Sequence, residues 1–387
     1  MFSLSNILVP HDYSVQATFG LDPKDVHPDI TVPGFAIPDP TQLADPNEQA
    51  YASYLRKNVP KFDPDYEFTK DLIREIRFWW LEGQGDVLLL WGPTGSGKTS
   101  SMEQWCARLG IPLFMMKGHK RFEAHEAFGT MVGGPNGTTP FQDGPMTLAA
   151  QYGLPVIINE YDRIDPSRAI VFNDVFEGRA FPVPGAIGRT VAPADGFRVV
   201  LTSNTNLVED VSGNYGTAAS QDVSVLERIY AVKCGYVSEE TERRILSNVL
   251  ERFTDDVLTY WFDQEGIKVK TDAGMKEGGA VSRAEFIDAL IAVAHSIRKA
   301  SSDGGNRTDA ALERTMSTRT LRKWAVQSAA NASMPEVLGL SALHQTLKRT
   351  LTDLATESTR LAIHEAVTTV FGVKENLDEQ QNAQGGA

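Results

Sequence analysis

Four residues of the chain match, by type and spacing, a loop that binds phosphate. Gly92, Gly97, Lys98 and Thr99 fill the fixed positions of the pattern Gly-x-x-x-x-Gly-Lys-Ser/Thr. In such a loop the backbone N–H groups cradle a polyphosphate, the lysine reaches its outer phosphates, and the hydroxyl binds Mg²⁺. An apolar run precedes the pattern and a helix-like segment follows it, as the pattern requires. The predicted loop consists of Gly92, Pro93, Thr94, Gly95, Ser96, Gly97, Lys98, Thr99 and Ser100.

Two further apolar runs end in polar residues. One leads into Asn159 and Glu160, and the next leads into Asn204. Because the carboxyl ends of parallel strands meet at one edge of a sheet, we expect these side chains beside the loop. Glu160 would orient the water that attacks the terminal phosphate, and Asn204 would hold that water or contact the phosphate. Without the loop upstream, the same residues would be interpreted as a helix cap and a turn former.

Other polar residues carry weaker signals. Arg228 immediately precedes a fifth short strand, residues 229–234, and an isolated arginine there predicts a surface ion pair. The seven histidines show no metal-binding spacing. His119 and His125 are close in sequence, but no third ligand accompanies them, so we expect solvated or structural roles.

Composition narrows the class of protein. The 387 residues carry a formal net charge of −13, which argues against broad binding to nucleic acid. The two cysteines, Cys106 and Cys234, form no C-x-x-C pair, so neither a disulfide framework nor a zinc site is indicated. Neither an export signal nor a membrane-spanning run is found in the sequence, and a cytoplasmic location fits best.

The order of patterns predicts an α/β fold. Strands and helices alternate through residues 61–236, which indicates a five-stranded parallel sheet with hairpin inserts near residues 129–145 and 180–196. Residues 237–373 are helical in pattern and form a smaller, all-helical domain. Residues 1–60 are rich in proline and predict an extended arm, either lying passively on the core or docking on a neighbouring subunit. Residues 374–387 predict a disordered tail.

This ordered set of motifs resembles the AAA+ ATPases. Within them it is most similar to the MoxR branch and to the small ATPase subunit of aerobic cobaltochelatase. The similar segments are residues 15–22 (VQATFGLD), 62–68 (FDPDYEF), 159–162 (NEYD) and 316–319 (MSTR). Several of them lie outside the generic ATPase motifs.

The resemblance implies a role for each matching residue. Lys98 and the loop would bind ATP, Glu160 would be the catalytic carboxylate, and Asn204 matches sensor 1. Arg228 matches the arginine finger that reaches a neighbour's nucleotide, and Arg319 matches sensor 2. The family forms hexameric rings that commonly work with a partner bearing a von Willebrand factor A domain. The two inserts would lie on the ring face or pore.

One residue departs from the family pattern. Its Walker B motif usually reads Asp-Glu, whereas this chain has Asn159-Glu160. Thr99 would bind Mg²⁺ directly, and Asn159 would contact it through a water molecule. A neutral amide at position 159 should hold the ion less strongly than the usual carboxylate does. We therefore expect slow hydrolysis. Three alternatives to a partner-remodelling motor stay open: the motor subunit of a cobalt chelatase, a nucleotide-locked scaffold with little turnover, and, less favoured by the charge, a DNA translocase.

Overall fold

A computed structural model describes most of the chain, namely residues 7–83, 85–134, 137–208, 223–272, 274–302, 312, 314–332 and 341–375. The chain divides into two compact units, the first made of Met1–Pro93 and Gly97–Gly235, the second of Thr94–Ser96 and Tyr236–Ala387. The predicted tail lies outside the described residues from position 376 onward. Within the described part of the chain, no helix is long and apolar enough to span a membrane.

The N-terminal segment is folded, so the expected extended arm is wrong for residues 9–58. It contains β1 (Val9–Ser14), α1 (Val15–Phe19), β2 (Thr31–Ala36) and α2 (Pro46–Asn58), and β1 pairs antiparallel with β2. Phe19 stacks on Trp105 with ring centroids 4.9 Å apart, so the segment is part of the first unit's core. Pro46 follows the cap Asp45 at the start of α2, where proline favours a helix instead of breaking it.

The rest of the first unit alternates helices with strands. Its elements are α3 (Lys70–Glu82), β3 (Val87–Trp91), α4 (Lys98–Arg108), β4 (Phe114–Lys117), α5 (Ala124–Phe128), β5 (Gly129–Met131), β6 (Phe141–Asp143), α6 (Pro145–Tyr152), β7 (Pro155–Asn159), α7 (Pro166–Ala169), α8 (Asn173–Phe176), β8 (Phe181–Pro182), β9 (Thr190–Val191), β10 (Arg198–Ser203), α9 (Val223–Leu226) and β11 (Ile229–Lys233). Many of the helices between sheet strands are short.

A five-stranded parallel sheet forms the centre of this unit, which confirms the predicted fold. The strand order is β11-β3-β10-β7-β4, and all neighbouring strands run parallel. Leu88, Ile157 and Leu201 are fully buried, and such continuous apolar runs are typical of strands covered on both faces. The sheet therefore brings the ends of β3, β7 and β10 to one edge.

The two inserts are hairpins joined by an ion pair. Strand β5 pairs with β6, and β8 pairs with β9. Asp143 ends β6 and accepts two hydrogen bonds from Arg189, which precedes β9, at 2.5 and 2.8 Å. Positions 135 and 136 of the expected turn in the first insert lie outside the described residues.

The second unit is helical except for one hairpin. Its elements are α10 (Glu239–Leu250), α11 (Asp255–Glu265), β12 (Lys268–Thr271), β13 (Gly274–Glu277), α12 (Arg283–Ser302), α13 (Thr318–Asn331), α14 (Ala342–Leu347) and α15 (Glu357–Phe371). The expectation of an all-helical domain is wrong at β12 and β13. Val269 is buried between the more exposed Lys268 and Lys270, and such alternation of apolar and polar residues is a strand signal.

Residues 342–371 do not form one continuous helix. A π-helical turn, Lys348–Thr352, follows α14, and α15 begins only at Glu357. The hydroxyls of Thr346 and Thr350 donate to the carbonyls of residues four positions earlier, and such bonds bend or end helices. Leu354 lies in the break and is 80% exposed.

Candidate nucleotide site

The phosphate loop connects the end of β3 to the start of α4. Gly92, Gly95 and Gly97 all adopt positive φ angles, of 148°, 78° and 86°. A side chain at Gly92 would place a Cβ 2.1 Å from the carbonyl oxygen of Cys234, so only glycine fits. Lys98 is the first residue of α4. The local fold is the one that the Gly-x-x-x-x-Gly-Lys-Thr pattern predicts.

The Lys98 ammonium is buried within this loop. Its Nζ donates to the carbonyl oxygens of Gly92 and Pro93, at 2.7 and 2.9 Å, and to Oδ1 of Asn204 at 3.1 Å. The structure therefore brings Asn204 to the loop, as expected from its place at the end of β10. A bound phosphate would offer the ammonium an anionic partner in place of these neutral oxygens.

Asn159 lies at the end of β7 and contacts the loop through Thr99. The Thr99 hydroxyl donates to Asn159 Oδ1 at 2.8 Å, and the hydroxyl of Thr202 donates to the same oxygen at 3.1 Å. The amide oxygen is thus engaged by two donors. Its remaining Nδ2 group can only donate, whereas a carboxylate would offer a second oxygen to metal-bound water.

Glu160 adopts a left-handed backbone conformation, with φ 55° and ψ 44°. A residue other than glycine in this region stores strain, which is concentrated at functional sites. Its backbone N–H donates to Thr202 Oγ1 at 3.2 Å. Its carboxylate, 31% exposed, forms ion pairs with Lys117 at 3.5 Å and with Arg163 at 3.3 Å.

Two residues at this edge of the sheet were missed by the sequence analysis. Thr202 links Asn159 to Glu160 through its hydroxyl, as described above. Asp162 is 1% exposed, and its Oδ2 accepts the backbone N–H of Asn204 at 3.0 Å. Burial raises the pKa of this carboxyl group. Asp162 belongs to the segment NEYD that carried the family resemblance, but nothing in the spacing indicated its partner.

The two arginines with predicted roles are carried by other elements of the chain. Arg228 precedes β11 and forms an ion pair with Glu177 Oε1 at 2.6 Å. Arg319 is the second residue of α13 in the second unit, and its side chain is exposed. Ser317 caps this helix by accepting the backbone N–H of Thr320. The ion pair of Arg228 matches what an isolated arginine predicts, and both catalytic roles stay predictions.

The loop and its neighbours fit a magnesium-bound nucleotide. Ser96 Oγ is buried without a hydrogen-bond partner among the described residues, as expected of a group that meets a ligand. No cluster of three or more His, Cys, Asp or Glu side chains suited to a metal occurs in the described ranges. Mg²⁺ bound with a nucleotide needs few protein ligands, because phosphates and water supply the others.

Comparison with known proteins identifies both parts of the chain. Residues 87–219 match the family model of the AAA domain (dynein-related subfamily), and residues 275–370 match that of the CbbQ/NirQ/NorQ C-terminal region. The fold and the loop define a AAA-type P-loop ATPase. Together, the fold, the loop and the C-terminal match are similar to those of the MoxR-type AAA ATPases.

Several curated proteins are similar over part of this chain. The denitrification regulatory protein NirQ of Stutzerimonas stutzeri is 27% identical over 186 residues, which cover 48% of this chain and 65% of NirQ. The aerobic cobaltochelatase subunit CobS of Sinorhizobium sp is 25% identical over 247 residues, covering 63% and 67%. NorQ of Paracoccus denitrificans is 30% identical over 117 residues, covering 30% and 43%. The chain thus spans about two thirds of the length of NirQ and CobS.

Proposed function

We propose that this chain is a ring-forming, Mg²⁺-dependent ATPase that couples ATP binding and hydrolysis to remodelling of a protein partner. The observation that carries the proposal is the meeting of three strand ends at one loop. Lys98 bonds Asn204, and Thr99 bonds Asn159, so residues from β7 and β10 converge on the predicted phosphate site. This arrangement is suited to positioning water and a terminal phosphate.

In the proposed reaction, water adds to the γ-phosphorus, the bond to the bridging oxygen of ADP breaks, and phosphate leaves with release of a proton. Mg²⁺, when bound, neutralises charge on the phosphates. Lys98 holds the phosphate chain, Glu160 polarises the attacking water, and Asn204 positions it. The resemblance adds Arg228, acting on a neighbouring subunit's ATP, and Arg319 as a second contact to the nucleotide. Asn159 makes turnover slow.

The first experiment measures ATP hydrolysis and assembly together. We expect wild-type protein to release phosphate and to form an ATP-dependent ring, hexameric by the resemblance. Lys98→Ala should lose binding and turnover, whereas Glu160→Gln should bind ATP and lose turnover. If the wild-type protein, with or without candidate partners, shows no turnover that both substitutions abolish, the proposal of an ATP-driven motor is wrong.

The partner is proposed from the resemblance alone. A protein bearing a von Willebrand factor A domain would be the remodelled substrate or its adaptor. Co-purification with ATP-bound Glu160→Gln, which should hold the ring closed, tests this directly. CobS is a cobaltochelatase subunit by name. A chelatase motor is therefore the alternative that a cobalt-insertion assay with candidate large subunits would distinguish.

Two features of the site favour a nucleotide-locked scaffold. The Glu160 carboxylate is paired with Lys117 and Arg163, and Asn159 lacks a carboxylate. If wild-type hydrolysis equals that of Glu160→Gln while ATP still drives assembly, the scaffold replaces the motor.

A further inference from the structure

The hydrogen-bond ladder between β7 and β10 ends before the catalytic residues begin. Its last pair is Leu201 with Ile158. On the other side of β10, the pairing with β3 continues to Ser203 and Trp91. Glu160 and Asn204, which directly follow β7 and β10, are therefore not held together by backbone pairing between these two strands.

Side chains bridge this gap. Thr202 Oγ1 accepts the backbone N–H of Glu160 at 3.2 Å and donates to Asn159 Oδ1 at 3.1 Å. One step further, Asp162 Oδ2 accepts the backbone N–H of Asn204 at 3.0 Å. The bonds cross the gap in both directions. The backbone after β7, at Glu160, donates to a side chain of β10, and the backbone after β10, at Asn204, donates to a side chain that follows β7.

Asp162 is an unusual residue for a purely structural contact. It is a carboxylate that is almost fully buried, and its second oxygen, Oδ1, has no hydrogen-bond partner among the described residues. Retaining a buried, incompletely bonded acid costs stability. Its contact with Asn204 fixes the backbone from which the amide reaches Lys98 Nζ at 3.1 Å.

We propose that Asp162 and Thr202 are positioning residues for ATP hydrolysis, which set the distance between Glu160 and the Asn204–Lys98 contact. This inference rests on the proposed ATPase function. Thr202 and Asp162 bind the backbone N–H groups of Glu160 and Asn204. They should therefore control where these two side chains lie and leave the affinity for ATP unchanged. A misplacement of about 1 Å can reduce a rate about a hundredfold, because the reacting groups lose their alignment.

The experiment compares Asp162→Ala, Asp162→Asn and Asp165→Ala. Asp165 lies three residues further on and is a partly exposed helix cap, so it is the matched control for loss of a carboxylate. We expect Asp162→Ala to lower kcat about tenfold while leaving the Kd for a non-hydrolysable ATP analogue within about twofold. Asp162→Asn keeps an acceptor for the Asn204 N–H and should recover most of the rate. Asp165→Ala should change only the thermal midpoint.

A double-substitution cycle separates positioning from stability. Asp162→Ala should have less than about a twofold further effect on kcat in an Asn204→Ala background, because it acts through Asn204. Equal losses in both backgrounds, or an Asp162→Ala variant that behaves like Asp165→Ala, would overturn this inference alone. Wild-type protein without Lys98-dependent turnover would remove the proposed function and this inference together.

A second pair of variants, at Thr202, tests the inference even if Asp162→Ala fails to fold. Thr202→Val matches the shape of threonine but loses both bonds, whereas Thr202→Ser retains them. We expect kcat to fall about tenfold in the valine variant and to stay within about twofold in the serine variant, at similar Kd for the analogue. Equal kcat values for these two variants would contradict a positioning role for Thr202.

Discussion

The polar groups around the phosphate loop and those around Arg298 are both buried, but they differ in how completely they are hydrogen-bonded. At the loop, Ser96 Oγ and Asp162 Oδ1 have no hydrogen-bond partner among the described residues. Each such atom typically costs about 1–3 kcal/mol of stability. A cluster that retains such atoms is suited to binding a ligand that completes their hydrogen bonds.

The Arg298 cluster consists of Arg298, Glu242, Thr318 and the carbonyl group of Met316. Arg298 donates to both carboxylate oxygens of Glu242, at 2.7 and 3.0 Å, and to the Met316 carbonyl at 2.6 Å. Thr318 adds a bond to Glu242 at 2.8 Å, and Tyr236 lies 4.4 Å beneath the guanidinium. This full pairing identifies a cluster that stabilises the second unit, in contrast to the incompletely bonded loop.

The largest expected effect is the loss of Arg298. Arg298→Met would leave the fully buried Glu242 carboxylate without its arginine partner and should cost about 3–5 kcal/mol of unfolding free energy. Denaturant titration measures the change. Arg243→Met is the matched control, since Arg243 pairs with Asp288 across the same two helices, α10 and α12, but at the surface. The control should lose less than about 1 kcal/mol. Equal small losses would remove the contrast between the clusters.

A second fully paired cluster, His344 with His364, makes the second unit sensitive to acid. His344 Nε2 faces the carbonyl of Val373 at 2.8 Å, which only accepts, so neutral His344 presents Nδ1 as an acceptor. His364 Nδ1 donates to it at 2.8 Å, and His364 Nε2 accepts from Thr352 at 2.9 Å. The chain of bonds requires His344 Nδ1 to carry no proton, and a proton added to either ring would place a charge in this buried contact.

Burial, together with His344, lowers the pKa of His364 to about 4, and burial also lowers the pKa of His344. Since the pKa of His364 is below its unfolded value of about 6.5, its contribution is complete above pH 6.5 and is lost as pH falls towards 4. The loss should approach about 3 kcal/mol. Glu375, Arg360 and Lys348 are the charged groups that act on His364.

Unfolding titrations at pH 7, 5.5 and 4.5 test this expectation. His364→Gln keeps polar contacts but does not titrate, so its stability should fall less steeply over the same range. Parallel pH profiles for wild type and variant would show that the pair does not control the acid response.

The sequence predicted what depends on local pattern and missed what depends on contacts across the sheet. The parallel sheet followed from apolar runs such as residues 87–90, and Asn204 was expected at the loop because it ends a strand. Thr202 and Asp162 were missed because their partners lie more than forty positions away. The folded segment before α3 was missed because proline interrupts most helices, whereas Pro46 stands at the first position of one.

At the loop, the next largest effect is expected when the usual Walker B carboxylate replaces Asn159. Asn159→Asp keeps one oxygen for the hydroxyls of Thr99 and Thr202 and adds a second oxygen for Mg²⁺-bound water. We expect the Mg²⁺ concentration for half-maximal turnover to fall, and kcat to rise, by about tenfold, equivalent to about 1.4 kcal/mol. Asn159→Ala, which removes both functions, should move both quantities the opposite way. No change in the aspartate variant would show that the amide does not limit the reaction.

The smallest expected effect concerns the ion pairs of Glu160. Lys117 lies on β4 opposite Asn159, is 70% exposed, and holds the Glu160 carboxylate at 3.5 Å. Exposed pairs of this kind are worth about 0.2–1 kcal/mol, so Lys117→Met should free the carboxylate and raise kcat only about twofold. Lys120→Met, three residues further along, is the matched change in surface charge and should leave kcat unchanged. If Lys117→Met instead reduced turnover as far as Glu160→Gln, Lys117 would have to act on the reacting phosphate itself. The restraint assigned to this pair would then be a catalytic contact.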